Sequence, residues 1–435
     1  MSSAQSLESK LKALECHFTW DLEPKESKVF RIKDKLEDIG TEEGNFWLGH
    51  IYNLQGFIQY QLGSTEDALK LFNQATETFK QQKNTDEGPW LMVNFGNLAW
   101  LHHHLGENDK SQDYLSKIDA VKKKGELHQE VYAEKAWTLM KFDKAKKLEA
   151  TELFLRAIRM QPDTVEWQSS RMIGLLSIFK HSDEEPEADN LEDLRVAREE
   201  DPGNLYLAAV ELKQCAKRGE QSKDEVQELV QELSEKILLN PISSYSGIKP
   251  LLRIYRQNES FDDAIDVAER ALKVDPDSRY LKRCAALCYK WKITFSRDRR
   301  PNQSTFDRAI SLLEDVISLY PHSSLTKKVD LASVLAKSGR GLMKSNQIFE
   351  ELLQTAVDPG DQQMLFNSYA KYLHFDRKEG NMSIKYHMKA AAINHESFCR
   401  MHSIKALEKI RDRGRHRMCR EIQEFLENLK DVKTV

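Results

Sequence analysis

The chain has 435 residues, 31% of them charged and 40% hydrophobic, and its net charge is −4. That near-neutral sum argues against a generic nucleic-acid binder, and no apolar run approaches the ~18 residues a bilayer span needs, which argues against a membrane protein. The six cysteines are scattered rather than framed for disulfides, and the opening MSSAQSLESKLKAL has polar spacing where a signal peptide carries an apolar block. A cytoplasmic protein with reduced thiols is expected.

In chain order, residues 1–20 read as an amphipathic helix with Leu7, Leu11, Leu14 and Phe18 on one face, ending in Cys16-His17-Phe18-Thr19-Trp20. A short loop leads to a second helix from Lys28 to Ile39, which carries Arg31, Lys33 and Lys35. The first full repeat runs from Phe46 to Lys80, with Tyr52, Gly56, Ala68, Phe72 and Ala75 in register. From Val93 to Ile118 a first helix, a turn at Gly106 and a second helix follow. The clearest unit is Glu149 to Pro162, EATELFLRAIRMQP. Its Ala150, Phe154, Ala157 and Pro162 stand at the second-helix offsets of a tetratricopeptide repeat. Small residues seven apart let a neighbouring helix approach, the Phe fills the gap between them, and the Pro ends the helix.

The prolines locate the other units. Pro162, Pro202, Pro241, Pro276 and Pro321 close apolar helical patterns and recur every 35 to 45 residues. Ala197, the trio Ala264, Ala268 and Ala271, and Ala309 precede three of them, while Phe349 with Leu352 and Ala390 with Ala391 continue the pattern more loosely. One hairpin cannot bury its apolar face alone, so the expected fold is all-α: a tetratricopeptide-repeat superhelix, an α-solenoid of about eight or nine helical hairpins curling around a central basic cavity. Three subdomains are expected, residues 1–125, 126–250 and 251–435.

Charge is unevenly spread. Arg279 to Pro301 holds Arg279, Lys282, Arg283, Lys290, Lys292, Arg297, Arg299 and Arg300 against the single acid Asp298, and Arg400 to Arg420 is similarly basic. Two basic segments in a chain of neutral sum suit the capture of a polyanion. Cys284 and Cys288 lack a second ligand pair at usable spacing, and His102, His103 and His104 point in different directions on a helix, so both sets read as structural. No phosphate loop, carboxylate pair or nucleophile with a base is recognisable, so an enzyme is not expected.

CHFTW at Cys16 to Trp20, FGNLAW at Phe95 to Trp100 and AWTLMK at Ala136 to Lys141 resemble stretches of the interferon-induced proteins with tetratricopeptide repeats. The resemblance extends through Ile254 to Pro276, Leu287 to Ile293 and Tyr369 to Lys378, and the chain is expected to be a member shorter at its C-terminus. It implies an antiviral effector without a catalytic centre, which binds the 5′ end of single-stranded RNA, triphosphorylated or capped, in a basic tunnel and sequesters it from translation. Implied partners are that RNA and, beyond it, other family members or signalling proteins, but neither DNA nor a membrane.

The resemblance carries a phosphate-contacting role to Lys141, beside Trp137 on the same helical face, and places Tyr206 on the RNA path. It assigns RNA contacts to Lys35 and to the concave run Lys249, Arg253, Tyr255 and Arg256, whose three cations share one helical face. The chain departs from the family there, with Pro250 at a tyrosine position and Lys249 at an arginine position; Tyr245 is a candidate for the displaced ring. It departs again where Arg283 and Cys284 replace a His-Gln pair, so that Lys282 and Arg283 suit phosphate charge more than a base. Arg31 stands where an acid elsewhere in the family holds a bridging metal, so no cofactor is expected, and a phosphate-bridging Mg ion is the alternative. Lys371, Lys409 and Arg411 would line the strand's exit. The competing function is a protein-only repeat scaffold in innate immune signalling, in which Asn97 and concave cations grip a partner's peptide.

Overall fold

The computed structural model describes residues 6–22, 26–40, 45–122, 127–179, 188–219, 222–296, 301–355 and 357–431; among these every regular element is helical. Arg297, Arg299 and Arg300 of the first basic segment lie outside the described residues. Contacts divide the chain into two compact units, Met1–Leu251 and Leu252–Val435.

In the first unit, five hairpins follow the two N-terminal helices. They are Leu48–Gln61 with Thr65–Lys83, Met92–His104 with Asn108–Val121, Gln129–Leu139 with Lys144–Met160, Val165–Ile178 with Ala188–Glu200, and Leu205–Arg218 with Lys223–Leu238. The repeat grammar explains the packing. A Cβ on Gly56 would stand 2.6 Å from the Phe72 ring, so the first helix leaves the space that the second helix fills. Ala150, Phe154 and Ala157 are fully buried, as the spacing predicts. Pro162, Pro202 and Pro241 each fall two or three residues past a helix end, and Gly106 makes its turn at φ 78°. One apolar core cluster includes residues from Cys16 to Trp167.

The N-terminal expectation needs correction. The first helix is only Leu7–Lys12, and CHFTW is a compact turn. Thr19 ends the helical path: its hydroxyl donates to the Leu14 and Cys16 carbonyls at 2.7 and 3.0 Å and accepts from the Cys16 amide at 3.1 Å. Such local bonds offer the backbone an alternative to the helical ladder. The turn is then pinned from afar. The Asn97 Oδ1 accepts from the His17 amide at 3.1 Å, its Nδ2 lies 3.0 Å from His17 Nδ1, and Thr138 Oγ1 lies 3.2 Å from His17 Nε2. Gly96 completes the fit, because a Cβ there would stand 2.8 Å from the Cys16 Cβ.

The division between the units falls within helix Ile248–Gln257, whose Pro250 occupies the first turn, where a missing N–H costs no helical bond. In the second unit Phe261–Val274 follows, and then four hairpins: Arg279–Phe295 with Gln303–Leu319, Leu325–Lys337 with Leu342–Gln354, Pro359–Phe375 with Gly380–Ala392, and Phe398–Arg413 with Cys419–Asp431. Counting Ile248–Gln257 with Phe261–Val274, the described helices make ten pairs from Leu48 onward. The prolines in register mark only five of these, because Leu48–Lys83, Met92–Val121 and the last three pairs close without one.

Candidate nucleic-acid interface

A cleft of about 510 Å³ opens within the first unit. One wall is built from Trp137, on helix Gln129–Leu139, and Trp47, just ahead of helix Leu48–Gln61; their rings stack at 5.7 Å and 17°. Opposite rings come from Tyr206, near the start of helix Leu205–Arg218, and Tyr245, in the loop before Ile248; these meet edge to face at 5.6 Å. That loop is held in place, since the Ser244 amide donates to the Asp38 carbonyl at 2.8 Å. Gly247, at φ 89°, passes so close that a Cβ would stand 2.6 Å from the Leu205 carbonyl oxygen.

Polar groups complete the lining. Asp201 Oδ2 accepts from the Ser169 hydroxyl at 2.7 Å and from Asn204 Nδ2 at 2.8 Å, while Asn204 Oδ1 caps the next helix by accepting from the Leu207 amide at 3.1 Å. Glu166, Asn45 and Asn240 also face the cleft. Among the described residues that line it there is no lysine or arginine. Aromatic faces with amides and carboxylates suit a planar ring bearing hydrogen-bond donors.

The cation sits against these rings. Lys141 Nζ lies 3.8 Å from the centroid of Trp137 and donates to the Tyr245 hydroxyl at 2.8 Å. Helix Gln129–Leu139 stops before Lys141, which lies in the turn ahead of Lys144–Met160, so Trp137 and Lys141 do not share a helix as expected, although they do meet. Lys141 is buried, and burial, followed by the neighbouring Lys35 and Lys147, holds its amine well below the usual lysine range. Lys35, exposed on helix Glu26–Ile39, donates to the Lys141 carbonyl at 3.4 Å, and Arg31 lies one turn before it. Burial disfavours the charge of an unpaired amine, and an anion that arrives beside it offsets that cost.

Other expected residues are dispersed. Lys249 and Arg253 are half-buried on helix Ile248–Gln257, whereas Tyr255, like Trp137, is almost fully buried. In the second unit Arg256 is exposed and lies over Trp291 and Phe295, at 5.5 and 5.4 Å. Arg279, Arg283 and Lys327 gather round the buried Tyr320 ring at 4.0, 5.3 and 4.3 Å. Lys290 and Lys292 are ion-paired with Asp330 and Asp262, and Arg411 with Asp412 at 2.8 Å. Lys282 and Lys371 are half-buried and Lys409 exposed. Burial, partly opposed by Cys399 and reinforced by Lys290, lowers the Lys371 pKa.

Cys284 and Cys288 are buried in the core, and among the described residues no three His, Cys, Asp or Glu side chains are grouped to hold a metal ion. His102, His103 and His104 turn to three different partners, Glu107, Asn108 and Tyr60. Asn97, expected to grip a peptide in the scaffold reading, is fully buried and committed to His17. Sequence reasoning missed Trp47, Asn204 and Asp201. Trp47, immediately ahead of a repeat helix, and Asn204, a helix cap just after Pro202-Gly203, were the available signals.

The fold is that of a tetratricopeptide-repeat protein, and its first unit carries an aromatic, amide-rich cleft backed by a buried lysine. No family profile matches the chain. The human antiviral innate immune response effector IFIT1 is 25% identical over 429 residues, covering 93% of this chain and 87% of its own length. Human interferon-induced protein with tetratricopeptide repeats 2 is 25% identical over 418 residues, covering 91% and 85%. The solved human IFIT1 dimer with PPP-AAAA superposes with a TM-score of 0.71 at 23% identity, covering 99% of this chain and 96% of that one. The IFIT1 dimer with m7Gppp-AAAA also gives 0.71 at 23% identity, covering 99% and 100%. The chain is thus similar over nearly its whole length to interferon-induced proteins with tetratricopeptide repeats, and the solved structures share its fold. Among the described residues no helix is long and apolar enough to cross a membrane.

Proposed function

We propose that this chain is an interferon-induced, cytoplasmic antiviral effector that binds the 5′ end of single-stranded RNA, triphosphorylated or capped, and withholds that RNA from translation. The observation that carries the reading is the Lys141 amine, buried 3.8 Å from the Trp137 centroid beside a cleft walled by Trp47, Tyr206 and Tyr245. An aromatic platform stacks a base for about 1–3 kcal/mol whatever its identity. A desolvated lysine rewards an arriving phosphate more than a solvated one does. The relatives solved with PPP-AAAA and m7Gppp-AAAA support the same ligand class.

In this reading Trp137, Lys141, Tyr206, Lys35 and Arg31 meet the terminal nucleotide and its phosphates. Lys249, Arg253, Arg256, Lys282, Arg283, Lys371, Lys409 and Arg411 supply backbone contacts whose affinity falls with salt. Arg31 takes the place of a bridging metal, so chelation with EDTA leaves triphosphate-RNA binding unchanged. Subdomain boundaries near residues 125 and 250 are part of the same proposal.

The test is binding of one RNA carrying in turn a 5′-triphosphate, a cap, a monophosphate and a hydroxyl, at near-physiological salt. A preference for triphosphate or cap, lost in Lys141→Met, is the expected result. Equal, weak binding to all four ends would overturn end recognition.

A further inference from the structure

A second cavity in the first unit, of about 250 Å³, has a different chemistry. Its walls are aromatic. The His50 ring meets Phe79 edge to face at 5.0 Å and lies parallel to Phe46 at 6.4 Å, and Trp90 and Trp167 close the sides. Two carboxylates face it, Glu130 and Glu166, the latter shared with the cleft. Three polar atoms here are buried without a hydrogen-bond partner: Glu130 Oε2, His50 Nδ1 and Trp90 Nε1. Buried polar atoms are ordinarily paired, so three unpaired ones on residues that line one small cavity single it out.

The sign of the ligand follows from what is already there. Aromatic faces attract cations through the ring quadrupole, and two carboxylates add to that attraction. Lys83 demonstrates it: exposed at the cavity, its Nζ lies 5.8 Å from the Phe46 centroid and 5.7 Å from that of Trp90, near the outer limit of such contacts. It samples the cage without filling it. His50 does not compete as a charge, because burial, with Lys83 and His17 adding, lowers its pKa to about 3.

We propose that this cavity binds an organic cation, an alkylammonium or guanidinium head, which enters between the aromatic walls, pairs with Glu130, and displaces Lys83 from the mouth. The site is independent of RNA-end recognition. Neither Glu130 nor Lys83 lines the cleft, so end-group binding is measured alongside as a control that their variants leave unchanged.

Calorimetric titration of the full chain with three probes tests the proposal: choline, N-acetylarginine amide, and 3,3-dimethylbutan-1-ol, the neutral isostere of choline. Saturable binding of either cation, with no binding of the isostere, is expected. A tighter arginine amide identifies a peptide side chain as the source, and tighter choline a free small cation. Glu130→Gln should weaken the preferred cation about tenfold and Lys83→Met should tighten it by a similar factor, with helicity of both variants verified by circular dichroism. Equal binding of the neutral isostere, no binding of either cation, or indifference to both substitutions in folded protein would overturn it.

Discussion

The two units spend their cations differently. In the second unit the dense basic stretch from Arg279 is largely occupied internally, with Arg279 and Arg283 on the Tyr320 ring and Lys290 and Lys292 on Asp330 and Asp262. In the first unit a single lysine, Lys141, is buried against Trp137 and Tyr245 beside an open cleft. Charge density along the sequence therefore finds the stretch with the most cations, whereas the poised cation is the one whose burial makes an anion most welcome. A count of charges measures supply; burial and pairing decide availability.

The largest test of that contrast is Trp137→Ala. The ring is 2% exposed and stacked on Trp47, so its loss should cost about 3–5 kcal/mol in denaturant unfolding. Arg256→Ala, at an exposed position of the second unit, should cost roughly 0.5 kcal/mol or less. Comparable losses would dissolve the contrast.

Next in size is RNA affinity. Lys141→Met should weaken triphosphate-RNA binding about tenfold or more and reduce the salt slope by roughly 0.7, as one lost phosphate contact on a single strand predicts. Lys292→Met, whose charge already answers Asp262, should stay within about twofold. If Lys292→Met proves the costlier change, the poised cation lies in the second unit.

Acidification acts on both units. Burial holds His17 and His50 of the first unit near pKa 3, and His387 and His402 of the second near 4, against an ordinary 6.5. Below pH 6.5 the unfolded chain takes up protons that these folded rings refuse, so stability is full above 6.5 and declines toward pH 4. Glu134 has the opposite sign: burial raises its carboxyl to about 8, so its contribution is present below 4.5 and lost as pH rises toward 8. Four histidines outweigh one carboxyl, and the thermal midpoint should drop by roughly 5 °C or more between pH 6.5 and 4.5. A flat profile would contradict burial of these rings. The smallest effect belongs to Arg308→Lys, which loses a two-pronged bond to Glu269 at 2.9 Å on each arm; that partly exposed pair should cost about 0.5 kcal/mol or less in thermal unfolding.

The fold was largely legible because repeat grammar is local. Ala150, Phe154 and Ala157 announce a close helix crossing, and the five prolines in register mark helix ends directly. The N-terminal turn was not legible, because apolar spacing at Leu7, Leu11, Leu14 and Phe18 fits a helix, and the bonds that hold the turn come from Thr19 and from the distant Asn97 and Thr138. At the site, Trp137 and Lys141 meet as the resemblance implied, although Lys141 lies in the turn and not on the helix that their spacing suggested. The burial of Tyr255 and the grouping of Trp47, Asn204 and Tyr245 were not legible, since residues from distant hairpins meet only once the repeats are stacked. A search for phosphate-binding cations also overlooks amides and rings.

The pinned CHFTW turn sets a schedule for the chain's synthesis. His17 takes its partner Thr138 from 121 residues downstream and Asn97 from 80. The turn gains Asn97 with the second hairpin and is complete only once the third, with Thr138, has left the ribosome. At ~5–20 residues per second that wait lasts roughly 6–24 seconds, a window in which Phe18, Trp20 and Cys16 are open to chaperones, and to one another on neighbouring nascent chains.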